Sequence, residues 1–290
     1  MNMEEAKLHA KRNIHNRPET SGRLAGKLCV ITGAAQGLGY GIAKEMVREG
    51  ATIVIADLDF DRAKAAATSL GERAVAIRVD VADPKSVENL VIQSVKHMGG
   101  IDIFVSNAGI LKAGGIHEMN PEDFELITKV NYTGYYLCVK CASEIMKAQH
   151  EADGSLFFDI IQINSKSGLE GSKQNFAYAG GKFGGIGLTQ SFAMELIPWN
   201  IKVNSICPGN FYDGPLWSDP EKGLFVQYLK AGKVPNARTV EDVKNYYLSK
   251  SLIKRGCMPE DVAKALFYAV EQCYETGQAI PVTGGQVMLK

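Results

Sequence analysis

The sequence predicts an α/β fold, one doubly wound parallel sheet of about seven strands with helices on both faces. Three observations predict it. Short apolar runs recur from Leu28 onward and alternate with amphipathic stretches. The first run ends in a glycine-rich turn, Gly33-Ala-Ala-Gln-Gly37-Leu-Gly39, which opens a helical pattern. Polar residues cluster where later runs end, which is where open α/β sheets bind ligands.

Bulk properties narrow the function. The chain has 290 residues, 46% of them hydrophobic, enough for one large core. Residues 1–25 read as an N-terminal extension, a mobile tail or an arm on a neighbouring subunit, with Pro18 breaking any helix. Residues 26–290 read as one domain with a substrate lobe embedded at about 210–257. Zero net charge favours neither nucleic acid nor a membrane surface. No apolar run is long enough to span a bilayer. Met1 to Arg17 is charged throughout and lacks an apolar signal-peptide core. Six cysteines scattered through predicted elements imply reduced thiols and a cytoplasmic protein. Cys138-x-x-Cys141 lies mid-helix without a second pair or a nearby histidine. It reads as two packed thiols, and no metal site is expected.

The elements follow in order. Leu28 to Thr32 is the first strand, and a helix runs from Tyr40 to Glu49. A strand, a glycine turn and a helix make a phosphate cradle, because the backbone can approach the anion and the helix amino end faces it. Thr52 to Ala56 is the second strand, ending in Asp57-Leu58. Asp57 lies twenty-four residues after Gly33, about the spacing at which an acid grips an adenosine ribose. It would repel a 2′-phosphate, so the expected cofactor is NAD rather than NADP. Ala74 to Val79 is the third strand, followed by Asp80-Val81. Pro84 to His97 is a helix with Asp83 as its N-cap. Asp102 to Ser106 is the fourth strand, ending in Asn107-Ala108-Gly109. A helix runs from about Pro121 through Met146 and contains Asn131, a poor helix former among apolar residues. Phe157 to Ile163 is the fifth strand, and the next helix runs to Pro198. Ile201 to Ile206 is the sixth strand, ending in Cys207-Pro208-Gly209. The segment from Asn210 to about Cys257 breaks the alternation. Its position at the strand carboxyl ends marks it as a lid or specificity lobe. Pro259 to Cys273 is an amphipathic helix, and Ala279 to Val282 is the last strand.

The fifth strand and its helix carry the chemistry. Ser165 stands where the strand gives way to a loop. Tyr178 follows thirteen residues later, and Lys182 lies four beyond it on the same helix face. A tyrosine with a pKa near ~10 is a poor base at neutral pH. A lysine ammonium beside it lowers that pKa, and the tuned phenol can then exchange a proton with an alcohol or carbonyl. The serine hydroxyl can hold the reacting oxygen. Such a set needs no metal or acyl intermediate if a cofactor carries the hydride.

Taken together, Thr32-Gly-x-x-x-Gly37-x-Gly39, Asn107-Ala-Gly109, Asn131, Ser165, Tyr178-x-x-x-Lys182 and Pro208-Gly209 resemble the short-chain dehydrogenase/reductase family, which has a Rossmann fold. The resemblance runs from about Lys27 onward. It implies that Asn131, Ser165, Tyr178 and Lys182 form the catalytic set, with Asn131 holding a water that links Lys182 to solvent. It implies cofactor contacts from Gly33, Gln36, Gly37, Leu38, Gly39, Asp57, Leu58, Asp80, Val81, Asn107, Ala108, Gly109, Tyr178, Lys182, Pro208 and Gly209. Many members place a threonine a few residues beyond the Pro-Gly; here the run is Asn210-Phe-Tyr-Asp-Gly-Pro215, and the backbone near Phe211 takes that place. Ile161 to Gly168, Lys182 to Gln190, Lys254 to Cys257 and Val282 to Met288 resemble bacterial sorbitol-6-phosphate 2-dehydrogenases. This implies a phosphorylated polyol or ketose as substrate, touched by Ser165, Lys166, Ser167 and Tyr178, with Arg255 as a second phosphate ligand after Lys166. Lys173, Lys233, Arg238 and Lys254 are further cations in or near the lobe. The resemblance also implies a homotetramer or homodimer, since relatives commonly assemble through the helices at 121–146 and 176–197 and through the carboxyl end. Gly184, Gly185 and Gly187 would let such helices approach. Alternatives are another polyol, ketose or 3-oxoacyl substrate, and a non-catalytic NAD-binding sensor.

Overall fold

A computed structural model describes residues 1–288; residues 289–290 of the 26–290 domain lie outside the described residues. The sheet is fully parallel. Its strands are β1 (Leu28–Thr32), β2 (Thr52–Asp57), β3 (Ala74–Arg78), β4 (Ile103–Ser106), β5 (Phe158–Ile163), β6 (Ile201–Pro208) and β7 (Ala279–Val282). Their order is β3-β2-β1-β4-β5-β6-β7, with every neighbouring pair parallel. The strand order reverses between β1 and β4, so the crevice at their carboxyl ends is the expected ligand cleft.

Helices cover both faces. The face with α2 (Gly37–Arg48), α3 (Phe60–Leu70) and α11 (Pro259–Glu271) packs on Ile31, Ile53, Ile55, Val105 and Ile161. The opposite face carries α4 (Pro84–Met98), α6 (Gly134–Ala152) and α7 (Phe176–Leu196) over Val30, Val54, Phe104, Phe158 and Ile160. Alternate residues of each strand thus serve opposite layers. The α4 helix starts as its sequence implies: the Asp83 carboxylate accepts from the Lys85 N–H, and Pro84 sits at the first helical position.

The 121–146 stretch is not one regular helix. It is α5 (Pro121–Thr128), a π-helical turn at Lys129–Thr133, then α6, which runs on to Ala152. A 3.6-residue period cannot register such a turn, and single π turns are frequent at functional sites. The glycine-rich turn likewise enters α2 at Gly37, three residues before the expected start.

The N-terminal extension is neither a mobile tail nor an arm on a neighbour. Residues Met3–Arg12 form helix α1, begun by an Asn2–Glu5 capping box, and it packs on α4 and α6. Ala6 and Ala10 are fully buried, and Lys7 and Lys11 pair with Glu144 and Glu151 of α6. The signal was weak because the buried stripe consists of alanines. Beyond the helix, Arg17 donates at 2.9 Å to Asp102, a buried carboxylate that also accepts from the Leu28 N–H at 2.8 Å. Arg17 thus fastens the extension to the start of the sheet. Arg17→Ala should destabilise the fold by about 2 kcal/mol, because a buried charge-assisted hydrogen bond is lost. Urea unfolding checks this; an unchanged midpoint would mean that the extension is only resting on the domain.

The lobe is α8 (Pro215–Ser218), α9 (Leu224–Lys230) and α10 (Val240–Ser249). It has its own core, in which Tyr212, Trp217, Phe225, Tyr228 and Tyr247 are all buried. Trp217 packs against all four of the other rings at centroid distances of 5.0–5.7 Å. The lobe is joined to the sheet domain beside α7, where the Asn175 amide donates to the Tyr228 hydroxyl at 2.5 Å.

Candidate active site

The site is assembled at the carboxyl end of β5. Ser165 leaves the strand in extended conformation, and its hydroxyl oxygen accepts from the Ser167 N–H at 3.1 Å, capping a short 3-10 turn at Lys166–Gly168. The hydroxyl proton stays free to donate. The Tyr178 phenol lies in the first turn of α7. Burial raises its pKa, and the neighbouring Ser165 hydroxyl pulls in the opposite direction. Lys182 is one turn on and almost fully buried; its ammonium donates to the Ile163 carbonyl at 2.8 Å and stands 5.6 Å from the Tyr178 ring centre. Burial pushes this lysine down to about 8. In the chain by itself, then, the phenol is held above its usual value, not depressed by Lys182 as expected. Desolvation outweighs an ammonium that is aimed at the strand carbonyl.

Asn131 occupies the π-helical turn. Its amide donates to the Ile110 carbonyl and its oxygen accepts from the Ile110 N–H, both at 2.8 Å. The turn therefore clasps the loop after β4, and each amide group retains one further hydrogen-bonding position. Gly181, one residue before Lys182, faces the Asn131 side chain, so the two helices meet at this point.

Asn164 is a part of the site that sequence reasoning left without a role. Its amide donates to the Lys182 carbonyl at 2.9 Å and to Gln162 at 2.7 Å, and its oxygen accepts from the Ser165 N–H. It locks the Ser165 turn to the helix that carries Tyr178. Its place at the head of the Asn164-Ser165 run was the only signal.

The glycine turn lies across the strand-order reversal from this set. Gly33 and Gly37 have φ of +63° and +61°, which glycine adopts without strain. A Cβ on Gly39 would fall 2.5 Å from the Gly33 carbonyl, and one on Gly33 would fall 2.7 Å from Ala108. Asn107 fixes that contact by donating to the Thr32 and Gly33 carbonyls at 2.9 and 2.8 Å. Gln36 makes no side-chain cap on α2; its carbonyl side chain is instead engaged by Arg62 at 2.5 Å. The first N–H groups of α2 at Gly37, Leu38 and Gly39 are left for an anion. The half-buried Asp57 carboxylate accepts from the Ala35 and Asp59 N–H groups at 3.0 and 3.1 Å, so it is fixed at the tip of β2. Leu58 beside it is exposed. Asp80 takes the Ala82 N–H, and Val81 is buried against Gly134. Gly109 faces Asn131, and Pro208-Gly209 ends β6, with the Gly209 N–H bonded to Val282. Phe211 follows, half-buried, its ring against Gly214. This concave backbone, which side chains would fill, and the fixed acid fit a dinucleotide's phosphates and ribose.

Two expectations fail here. Arg255 is not brought to Ser165 and Tyr178. Its guanidinium grips Asp261 with both amino groups, at 2.5 and 2.9 Å, and it lines a cavity of about 530 Å³ with Thr283 and Gln286. A carboxylate six residues on had already claimed it. Gly184 and Gly185 are not free for a neighbouring helix. A Cβ there would strike Tyr132 at 2.7 Å and Gln162 at 2.5 Å within the same chain, and only Gly187 of the three faces open space.

Residues 27–219 match the family model described as short chain dehydrogenase.

The chain belongs to the short-chain dehydrogenase family.

It is therefore an oxidoreductase acting on an alcohol group. This short-chain dehydrogenase is 38% identical over 270 residues to the sorbitol-6-phosphate 2-dehydrogenase of Escherichia coli, covering 90% of this chain and 99% of that one. It is 34% identical to the galactitol 2-dehydrogenase of Agrobacterium fabrum, over 92% of this chain and 99% of that one. The crystal structure of sorbitol-6-phosphate 2-dehydrogenase SrlD from Erwinia amylovora superposes with a TM-score of 0.81 at 38% identity, covering 90% of this chain and all of that one. Members of the family use NAD or NADP. Cys138 and Cys141 are free thiols packed in α6, with Cys138 pushed up to about 12 by burial. Among the described residues no helix is long and apolar enough to cross a membrane.

Proposed function

We propose that this chain interconverts D-sorbitol 6-phosphate and D-fructose 6-phosphate with NAD. The observation that carries the chemistry is the meeting of Ser165, Tyr178 and Lys182 at the end of β5, facing the glycine cradle across the strand-order reversal. The full-length similarity to a sorbitol-6-phosphate 2-dehydrogenase supports the substrate. NAD, when bound, accepts or returns the hydride at the carbinol carbon. The chain's own groups handle the proton. Ser165 donates a hydrogen bond to the reacting oxygen. Tyr178 removes the hydroxyl proton in oxidation and returns it in reduction. Lys182 contacts the nicotinamide ribose and lowers the phenol's pKa once the cofactor is in place, and Asn131 supports the proton path behind it. Asp57 receives the ribose hydroxyls and repels a 2′-phosphate.

The protein acts as a homotetramer or homodimer in the cytoplasm on this reading. Phe183 and Met194 of α7 and Tyr136 of α6 are exposed apolar side chains that a second copy would cover.

Mixing the protein with NAD and sorbitol 6-phosphate and following nicotinamide absorbance tests the reaction. Turnover should exceed that with NADP and that with free sorbitol. Faster reaction with galactitol than with the phosphate ester would move the substrate to the free polyols, the direction in which the second relative points.

A further inference from the structure

Three lysines far apart in sequence come within reach of one another's charge, Lys233 feeling both Lys166 and Lys250. Lys166 follows Ser165 directly, on the 3-10 turn. Lys233 lies after α9, its ammonium 4.0 Å above the face of Tyr228. Lys250 ends α10, its ammonium over Tyr246 at 4.3 Å and over Tyr247 at 5.6 Å. Tyr228 and Tyr247 are themselves stacked, with centroids 5.6 Å apart. Tyr228 is tied by its hydroxyl to Asn175, which stands three residues before Tyr178. The Lys233 ammonium therefore rests on an aromatic floor that is tied to the start of α7 and close enough to Tyr178 for Tyr228 to feel its charge.

The charge at this place is not balanced from within. Lys166 has one partner, Glu170, at 3.4 Å, with the lysine side chain 21% and the glutamate side chain 48% exposed. Among the described residues no carboxylate pairs with Lys233 or Lys250. Lys233 is half-buried, and its pKa falls to about 8, first through burial and then through the like charges of Lys166 and Lys250. A partly desolvated ammonium with two cationic neighbours is costly unless an anion joins it. The polar complement is incomplete too. Asn175 is 4% exposed, and its amide oxygen has no hydrogen-bond partner. It is a buried acceptor suited to a hydroxyl donor. A phosphorylated polyol offers both features, a dianion and a row of hydroxyl groups.

We propose that Lys233, with Lys166, forms an anion subsite for the phosphate of a sugar-alcohol phosphate, while Asn175 accepts from one of its hydroxyl groups. This rests on the reading of Ser165 and Tyr178 as the reacting site. Lys233 is the specificity-determining member, since it stands on the lobe, whereas Lys166 belongs to the turn that also holds Ser165. Lys250 adds long-range attraction. The lobe thereby selects for the charged end of the substrate, and the sheet domain handles the carbinol end.

The test is the ratio of kcat/KM for sorbitol 6-phosphate to that for free sorbitol, in the full-length protein with NAD. Lys233→Met should lower this ratio about 10- to 100-fold, the effect of removing a charge-assisted hydrogen bond. Lys233→Arg should restore most of it. Thermal melting of both variants shows that the aromatic lobe is intact. An unchanged ratio in folded Lys233→Met would overturn the subsite. If the wild type reacts with free polyols and not with phosphate esters, the substrate reading fails by itself. The subsite is then judged by inorganic phosphate as an inhibitor competitive with the polyol. Inhibition that Lys233→Met weakens tenfold supports it; inhibition equal in both proteins, or none, overturns it.

Discussion

Tyr178→Phe is expected to lower turnover by about 10²- to 10⁴-fold, the usual contribution of a positioned acid/base. The change removes one oxygen from α7 and leaves the glycine cradle and Asp57 untouched. Dinucleotide affinity, read by fluorescence titration, should therefore stay within about 2-fold, well under the step of one lost hydrogen bond. The pH profile follows from the same group. Burial raises the phenol's pKa in the chain alone. The base form therefore grows with rising pH, so alcohol oxidation should climb toward alkaline conditions. Ketone reduction needs the protonated phenol and should hold through neutral pH, falling only in the alkaline range. Turnover in the Phe variant within tenfold of wild type would remove Tyr178 from the chemistry.

The second large effect lies beneath the site. Lys202 of β6 is fully buried, with its ammonium 3.1 Å from the Asp159 carboxylate of β5. It also donates to the carbonyls of Ala269, Val270 and Gln272 at the end of α11, at 2.5, 3.1 and 3.0 Å. One side chain thus joins two strands to the helix that covers them. Lys202→Met should destabilise the protein by about 3–5 kcal/mol, because it leaves a buried carboxylate without a cation. The pH dependence has a definite sign. Burial raises the Asp159 pKa, and Lys202 opposes that rise. The folded carboxyl already stands at about 6 with the lysine present, above the unfolded value, and without it binds its proton more tightly still. The deficit should be largest at neutral pH and shrink as pH falls through the raised folded value. Denaturant melts of both proteins at neutral and mildly acidic pH check this. A loss below about 1 kcal/mol at neutral pH would show that the pair contributes little, as exposed pairs do.

How much of this was legible in the sequence differs from residue to residue. Strands β1 and β5 read as apolar runs because parallel strands covered on both faces have no polar side. Tyr178 and Lys182 were found from their spacing, since a helix alone places residues four apart on one face. The glycine turn and Asp57 were found because a phosphate cradle restricts residue types along a short piece of chain. What stayed hidden depends on distant partners. Nothing local at Arg17 points to Asp102. Arg255 looks like a free phosphate ligand until Asp261 is seen to hold it. Gly184 and Gly185 look like a helix-contact stripe until Tyr132 and Gln162 fill the space. The Lys166, Lys233 and Lys250 convergence arises only when the lobe folds over α7. The π turn left no trace because a 3.6-residue period cannot register a single wide turn.

The aromatic knot in the lobe has a practical consequence for optical spectroscopy. The chain has two tryptophans. Trp217 is enclosed by that knot, while Trp199 lies in the turn that follows α7, with the Lys147 ammonium 4.1 Å above its ring. Their emission should differ in colour and quenching, so a shift confined to the blue, shielded component would report displacement of the lobe without any attached dye.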